Sequence, residues 1–264
     1  MEPDTRLTYG RYLKLDELLA LQRPVSPGPE HDETLFIIIH QIYELWFKEL
    51  IHELEYLRRL LAQRDDARAL HTLKRILTIL KVVVAQIDVL ETMTPLEFQS
   101  FRDRLQSSSG FESHQFRELE MLLGMKRRRA IEHYPEGSPE RRRLEGRWAE
   151  STVWDALLGY LAAKGYAVPA SQLGRDVTQP IEADPAVQRV LIEVYRKDAI
   201  AGQLCERFVD LDEGLQEWRY RHVKMVQRTI GTKRGTGGSA GAEYLLTTLN
   251  RPAFPDLWAI RADL

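Results

Sequence analysis

The chain has a single cysteine, Cys205, which excludes an internal disulfide and any thiolate-built metal or iron–sulfur cage. A reducing cytoplasm is therefore the expected compartment. Long apolar runs are missing too: none reaches the roughly 18–20 residues needed to cross a bilayer. The start "MEPDTRLTYG" has no basic stretch leading into an apolar one, so neither secretion nor membrane insertion is expected. Charge of one sign is also lacking. Lysines and arginines number 37 against 39 acidic residues, a net charge of -2, which implies no general attraction to nucleic acid or anionic lipid. Strand signals are scarce, with "VVV" at Val82–Val84 the one strand-like moment, and there is no βαβ alternation or fixed-period repeat.

What is present is helical. With 264 residues, 44% hydrophobic and 29% charged, the chain can bury a sizeable core as one large domain or two small ones. Residues 1–30 read as an arm with a short helix near "RYLKLDELLAL", stopped by the link "RPVSPGPEHD". From Glu33 to about Ala62, Phe36, Ile39, Tyr43, Trp46, Phe47, Leu50, Leu54, Leu57 and Leu61 recur at steps of three and four, a long amphipathic helix with Asp32 as expected N-cap. A second helix is expected from about Ala67 to Glu91, and shorter ones over Pro95–Leu105 and Ser113–Leu123. Helical spacing returns at Pro139–Ala163 and again at Pro185–Ile230, the latter with a bend or break expected near Gly202 or Gly214. The connector "MKRRRAIEHYPEGSPERRRLEGR" reads as solvated helix ends and loop, because interleaved glutamates weaken any case for phosphate binding. The fold class is all-α.

Seven histidines occur without HExxH or another local metal spacing, so each is first taken as structural. Two have unusual surroundings. His40 shares a helix face with Phe36, Tyr43 and Phe47, which points its imidazole inward, where it needs a hydrogen-bond partner or a metal. His222 shares a stripe with Leu211, Leu215, Trp218, Met225 and Val226 and is fringed by Arg219, Arg221 and Lys224. An inward imidazole among apolar groups with cationic flanks suits haem, although ordinary core packing gives the same spacing. Arg102 sits beside Phe98, Phe101 and Leu105 as a bidentate partner for a carboxylate, or as a surface ion pair. Gly235 to Ala240 contains G-x-G-x-x-A, but it follows a long helix rather than a strand, which argues against dinucleotide binding. Its glycines suit a tight segment whose backbone approaches a ligand, with Thr236 and Ser239 as hydroxyl donors.

In this order, "LFIIIHQIYELWFKELIHEL", "ETMTPLEFQSFRDRLQSSSGF", "WRYRHVKMVQRTIG" and "GTGGSAG" resemble the tryptophan 2,3-dioxygenase family, over a span from about Tyr9 to "FPDLW". The resemblance implies a single all-α haem dioxygenase domain at residues 31–264, assembled as a homotetramer, with one haem b per subunit. His222 matches the iron ligand, and His40 the distal histidine beside the substrate indole. Phe36 matches an aromatic wall, Arg102 the partner of the substrate carboxylate, and Thr236 a contact to its ammonium and carboxylate. Leu105, Ser109 and Gly110 match the pocket and haem edge, and Tyr9 a residue supplied by the arm of a neighbouring subunit. Phe98 stands where some members have tyrosine as a further carboxylate contact. The implied reaction inserts both atoms of O2 across the indole C2–C3 bond of L-tryptophan to give N-formylkynurenine, the first step of tryptophan degradation by the kynurenine route. Other readings are a relative that hydroxylates another aromatic amino acid, and a helical haem sensor that uses His222 without a substrate site.

Overall fold

The computed structural model describes residues 6–28, 30–106, 108–233, 245–246, 249 and 251–264, with the side chain of Phe111 left aside. Two short helices, α1 (Tyr9–Leu13) and α2 (Leu15–Leu19), precede the long α3 (His31–Gln63) and α4 (Asp66–Leu90). The turn between α3 and α4 is short because Arg64 adopts a left-handed conformation (φ 56°) and donates its N–H to Leu60 and Leu61. Asp65 then accepts from the Arg68 N–H and starts the next helix. α3 begins at His31, two residues before the expected Glu33, and the N-cap position is Glu30 rather than Asp32. The link before it is tied down by Glu33, whose buried carboxylate accepts from the backbone N–H groups of Val25 and Ser26 at 2.6 and 3.2 Å.

α5 (Pro95–Arg102) opens with a Thr94–Glu97 capping box, and α6 (His114–Leu122) with Ser113 as its cap. The connector carries α7 (Arg128–Glu132), and α8 (Pro139–Ala149) follows. The expected helix at Pro139–Ala163 is two helices. Thr152 and Asp155 form a second capping box that starts α9 (Val153–Ala163), and a cap of that kind stabilises a fresh start over continuation. After α10 (Ala170–Leu173), the span Pro185–Ile230 likewise divides into α11 (Pro185–Lys197) and α12 (Ala199–Ile230). The break is at Asp198, whose carboxylate accepts from the Ile200 and Ala201 N–H groups, and not at Gly202 or Gly214, which lie inside α12. Gly214 has a different duty. A Cβ there would meet Leu80 Cδ2 at 2.6 Å, so its absence lets α12 lie close against α4. α13 (Pro255–Ala259) closes the described chain.

α4 packs against both α3 and α12, while α3 also meets α6 and α9, and α11 lies on α12. A single connected core runs through these helices from Ile39 to Ile260, with Leu54, Leu57, Leu73, Trp154 and Phe208 fully enclosed. No strand is present among the described residues, and none of the described helices is long and apolar enough to cross a membrane.

The basic connector departs from its expected solvated role. Lys126 is buried and donates to the carbonyls of Arg147, Trp148 and Glu150 at 2.8–2.9 Å, so it closes the C-terminal end of α8. Arg147, also buried, pairs with Glu55, Glu118 and Glu150. Composition along the chain cannot distinguish these two cations from their exposed neighbours, since only the packing of α6 and α8 encloses them.

The position of the α11–α12 break is testable by urea denaturation. Asp198→Ala should lower stability by about 1–2 kcal/mol through loss of the cap. Gly202→Ala should leave stability unchanged or raise it by up to about 1 kcal/mol, because its Cβ meets only ordinary contacts, the nearest at 3.6 Å from Tyr195 Cα.

Candidate active site

α3, α4, α5, α6 and α12 surround a cavity that opens to solvent. Its walls are mainly apolar and aromatic. Phe36, Tyr43 and Phe47 come from α3, Ile87 and Leu90 from α4, Phe98 from α5, Phe116 from α6, and Trp218, Val223 and Val226 from α12. Phe36, Phe98 and Phe101 form a mutually packed triad with centroids 5.5–5.7 Å apart, and Phe47, Phe116 and Trp218 form another.

His40 reaches the cavity from α3, with its ring against Phe36 at 4.1 Å. Its Nδ1 lies 2.7 Å from the Phe36 carbonyl, an acceptor, so Nδ1 carries the proton and donates. In the neutral ring Nε2 is then an acceptor, and it has no partner among the described residues. Burial holds the imidazole below its ordinary pKa, with the Phe36 contact and Glu44 pulling the other way, which favours this neutral form.

His222 reaches the same cavity from α12 and stacks on Trp218, one turn earlier, at 5.1 Å and 14° between planes. Neither of its ring nitrogens has a hydrogen-bond partner among the described residues. Burial, with smaller contributions from His40 and Arg117, pushes it down to about 4 from 6.5. It is thus a neutral imidazole with a free lone pair, in the form needed to bind a metal. The indole Nε1 of Trp218 is a second orphan, buried and without a partner among the described residues.

Charge gathers on one side. Glu120 and the guanidiniums of Arg117 and Arg219 line the cavity, and Glu120 accepts from Arg117 at 2.7 Å, from Arg219 at 2.9 Å and from Arg127 at 2.7 and 2.8 Å. Burial alone would raise its pKa, but the three arginines hold it at about 2. Glu44, also at the wall, is held by the Gln115 amide at 2.8 Å.

The comparisons with known proteins agree with one another. Residues 2–138 and 128–264, which together span nearly all of the chain, match the family described as Tryptophan 2,3-dioxygenase. The chain belongs to the tryptophan 2,3-dioxygenase family. Among relatives bearing that name, the protein of Herpetosiphon aurantiacus is 61% identical over 258 residues, covering 98% of both chains. That of Anaeromyxobacter sp. (strain K) is 57% identical over 267 residues, covering 98% of this chain and 96% of its own. That of Caulobacter vibrioides is 43% identical over 261 residues, covering 98% of each.

In this dioxygenase-family fold, Phe36, His40, Phe98, Arg102, Ser109, Gly110 and His222, separated by up to 186 positions in sequence, line one cavity. Leu105 does not line it directly. It packs behind, on the cluster of Met93, Phe98 and Phe101. Tyr9 is 75% exposed on α1 and is not brought to the cavity within the chain. Thr236 and the rest of the Gly235–Ala240 loop lie outside the described residues. Arg219, read from sequence as a cation fringing His222, is buried against Glu120, and Arg221 turns to Asp88 and Glu91. Sequence reasoning missed Arg117 and Glu120, because "HQFRELEML" looks like any charged short helix. No local signal marks them: the helix is about as apolar as the chain as a whole, yet Arg117 through Leu122 are all buried.

The donor set fits haem. One imidazole with an unused lone pair would supply the protein's ligand to a haem iron, and the two aromatic triads offer flat apolar walls. The guanidinium-bearing Arg117 and Arg219 at the wall suit the macrocycle's carboxylates.

A pH prediction follows from the low pKa of His222. With a folded-state value of about 4 against an ordinary 6.5, the neutral ring contributes stability that is fully present above pH 6.5 and is lost as pH falls through 4. Thermal unfolding of the haem-free chain should therefore show a steeper fall in Tm between those pH values than the His222→Gln variant shows.

Proposed function

We propose that the cavity is the active site of a haem-dependent dioxygenase that inserts O2 across the indole C2–C3 bond of L-tryptophan to give N-formylkynurenine, and that His222 is its iron ligand and His40 its substrate-side residue. Family membership carries the activity. The assignment of roles rests on one observation: two neutral imidazoles face a single cavity, one with both nitrogens unpartnered and one with only Nε2 left as an acceptor.

Haem b, which His222 would hold at its iron and Arg117 and Arg219 at its carboxylates, would supply the oxygen chemistry when bound. The remaining work is orientation and exclusion of water. His40 Nε2 accepts the indole N–H, and because Nδ1 is committed to the Phe36 carbonyl, the ring cannot rotate or change tautomer without breaking that bond. Phe36 and Phe98 flank the indole and keep water from it. Arg102 pairs with the substrate carboxylate, and Thr236 contacts its ammonium, so that the amino acid end fixes which edge of the indole faces the iron. Phe98 has no hydroxyl, so carboxylate binding rests on Arg102 and Thr236. Ser109 and Gly110, at the turn before α6, sit at the haem edge.

The N-terminal arm has its own place in this reading. α1 and α2 bury none of their residues, and Leu7, Tyr9, Tyr12 and Leu19 are each at least 70% exposed. Such an arm supports a homotetramer in which Tyr9 enters the site of a neighbouring copy. The single cysteine, free and buried, fits the reducing cytoplasm as the compartment.

The reading is tested by mixing the ferrous, haem-loaded chain with L-tryptophan and air and measuring N-formylkynurenine. Formation of product is expected; its absence with haem fully bound would remove the assignment. Arg102→Ala should raise the KM for tryptophan about 10- to 100-fold, the worth of a hydrogen-bonded charge, and an unchanged KM would remove Arg102 from the carboxylate. His222→Ala should lose stable haem, whereas His40→Ala should keep it and lose turnover, as the Soret band and the kcat report separately.

A further inference from the structure

Glu120 lies on the cavity wall, 3% exposed, and its two oxygens are shared by guanidiniums from three different parts of the chain. Arg117 comes from its own helix, α6, Arg127 from the connector after it, and Arg219 from α12, three residues before His222. Arg219 also touches Met125 Sδ, so the same guanidinium grips the turn that follows α6. Removing water leaves such pairs strong, and a single carboxylate serving three cations fixes all of them at once. Nothing in the site reading above needs Glu120 to touch haem or substrate.

We propose that Glu120 is a positioning residue: through Arg117 and Arg219 it holds the α12 turn bearing His222 against α6 and sets the positive charge that the haem iron feels. The inference rests on the haem reading of the cavity. A charge of one unit at about 10 Å, in surroundings of effective dielectric about 20, changes an equilibrium between charge states by on the order of tenfold. Loss of the carboxylate leaves three guanidiniums without their shared counter-charge, and this favours the less positive ferrous state.

The test is the ferric–ferrous midpoint of the haem-loaded full chain, followed optically during reductive titration. Glu120→Gln keeps size and some hydrogen bonding, and should shift the equilibrium about tenfold toward ferrous iron, equivalent to about 59 mV for one electron. Glu118→Gln is the control. Glu118 is also a buried carboxylate on the same helix, but it pairs with Arg147 and does not line the cavity, so its loss should weaken folding and move the midpoint much less. Arg127→Gln removes a positive charge paired with Glu120 at a residue that does not line the cavity, and should move the midpoint the other way, toward ferric iron. That variant answers the question even if Glu120→Gln does not fold. A Glu120→Gln midpoint equal to that of the unmodified chain, an equal shift in Glu118→Gln, or an Arg127→Gln shift absent or toward ferrous iron would each overturn the proposal. Failure of the unmodified chain to hold haem would instead overturn the reading of the cavity.

Discussion

The close packing of α4 against both α3 and α12 is the constraint on which the site depends. α4 contributes only Ile87 and Leu90 to the cavity wall, yet it is the shared neighbour of the helices that carry the two imidazoles. Its contact with α12 is close because Gly214 has no side chain to meet Leu80. Its contact with α3 is reinforced where the Tyr43 hydroxyl donates to the Val83 carbonyl at 3.1 Å. Interiors packed this tightly transmit small displacements rather than absorb them. His40 and His222 are consequently held to a fixed separation through α4, which itself carries neither imidazole.

The two imidazoles differ through their hydrogen bonds more than through their burial. Both are enclosed and both are held neutral, but His40 is committed at Nδ1 and His222 at neither nitrogen. A ring with one nitrogen occupied is oriented and offers a single acceptor, which suits gripping an N–H. A ring with no commitment is costly to bury unless something else takes its lone pair. Trp218, stacked on it, leaves its indole N–H without a hydrogen bond among the described residues at the same wall, whereas other buried polar atoms in that condition, such as Ser26 Oγ and Arg207 Nε, belong to residues away from the cavity.

Buried charge on the other side of the cavity follows different rules. Lys126 and Arg147 tie helix ends and glutamates together away from the site, whereas Arg117 and Arg219 meet over Glu120 at its wall. In each case a cation is tolerated inside because carbonyls or carboxylates surround it, and removing a partner weakens that compensation. Similar chemistry therefore serves stability in one place and the electrostatics of the site in another, and distance from the cavity decides which.

Periodicity in the sequence determined the all-α class, the two long helices and the inward direction of His40 and His222, because side chains three and four apart share a face whatever the helix packs against. Local chemistry also placed the Pro95 and Ser113 helix starts. The breaks at Glu150–Thr152 and Asp198 were legible only in part. The capping residues are visible as letters, but whether a cap ends a helix depends on what lies on either side. Tertiary structure alone decided that Phe36, Arg102, Ser109 and His222 share one cavity, that Leu105 packs behind it, and that Arg219 turns to Glu120. These are contacts between residues up to 186 positions apart, and no local pattern encodes which helix faces which.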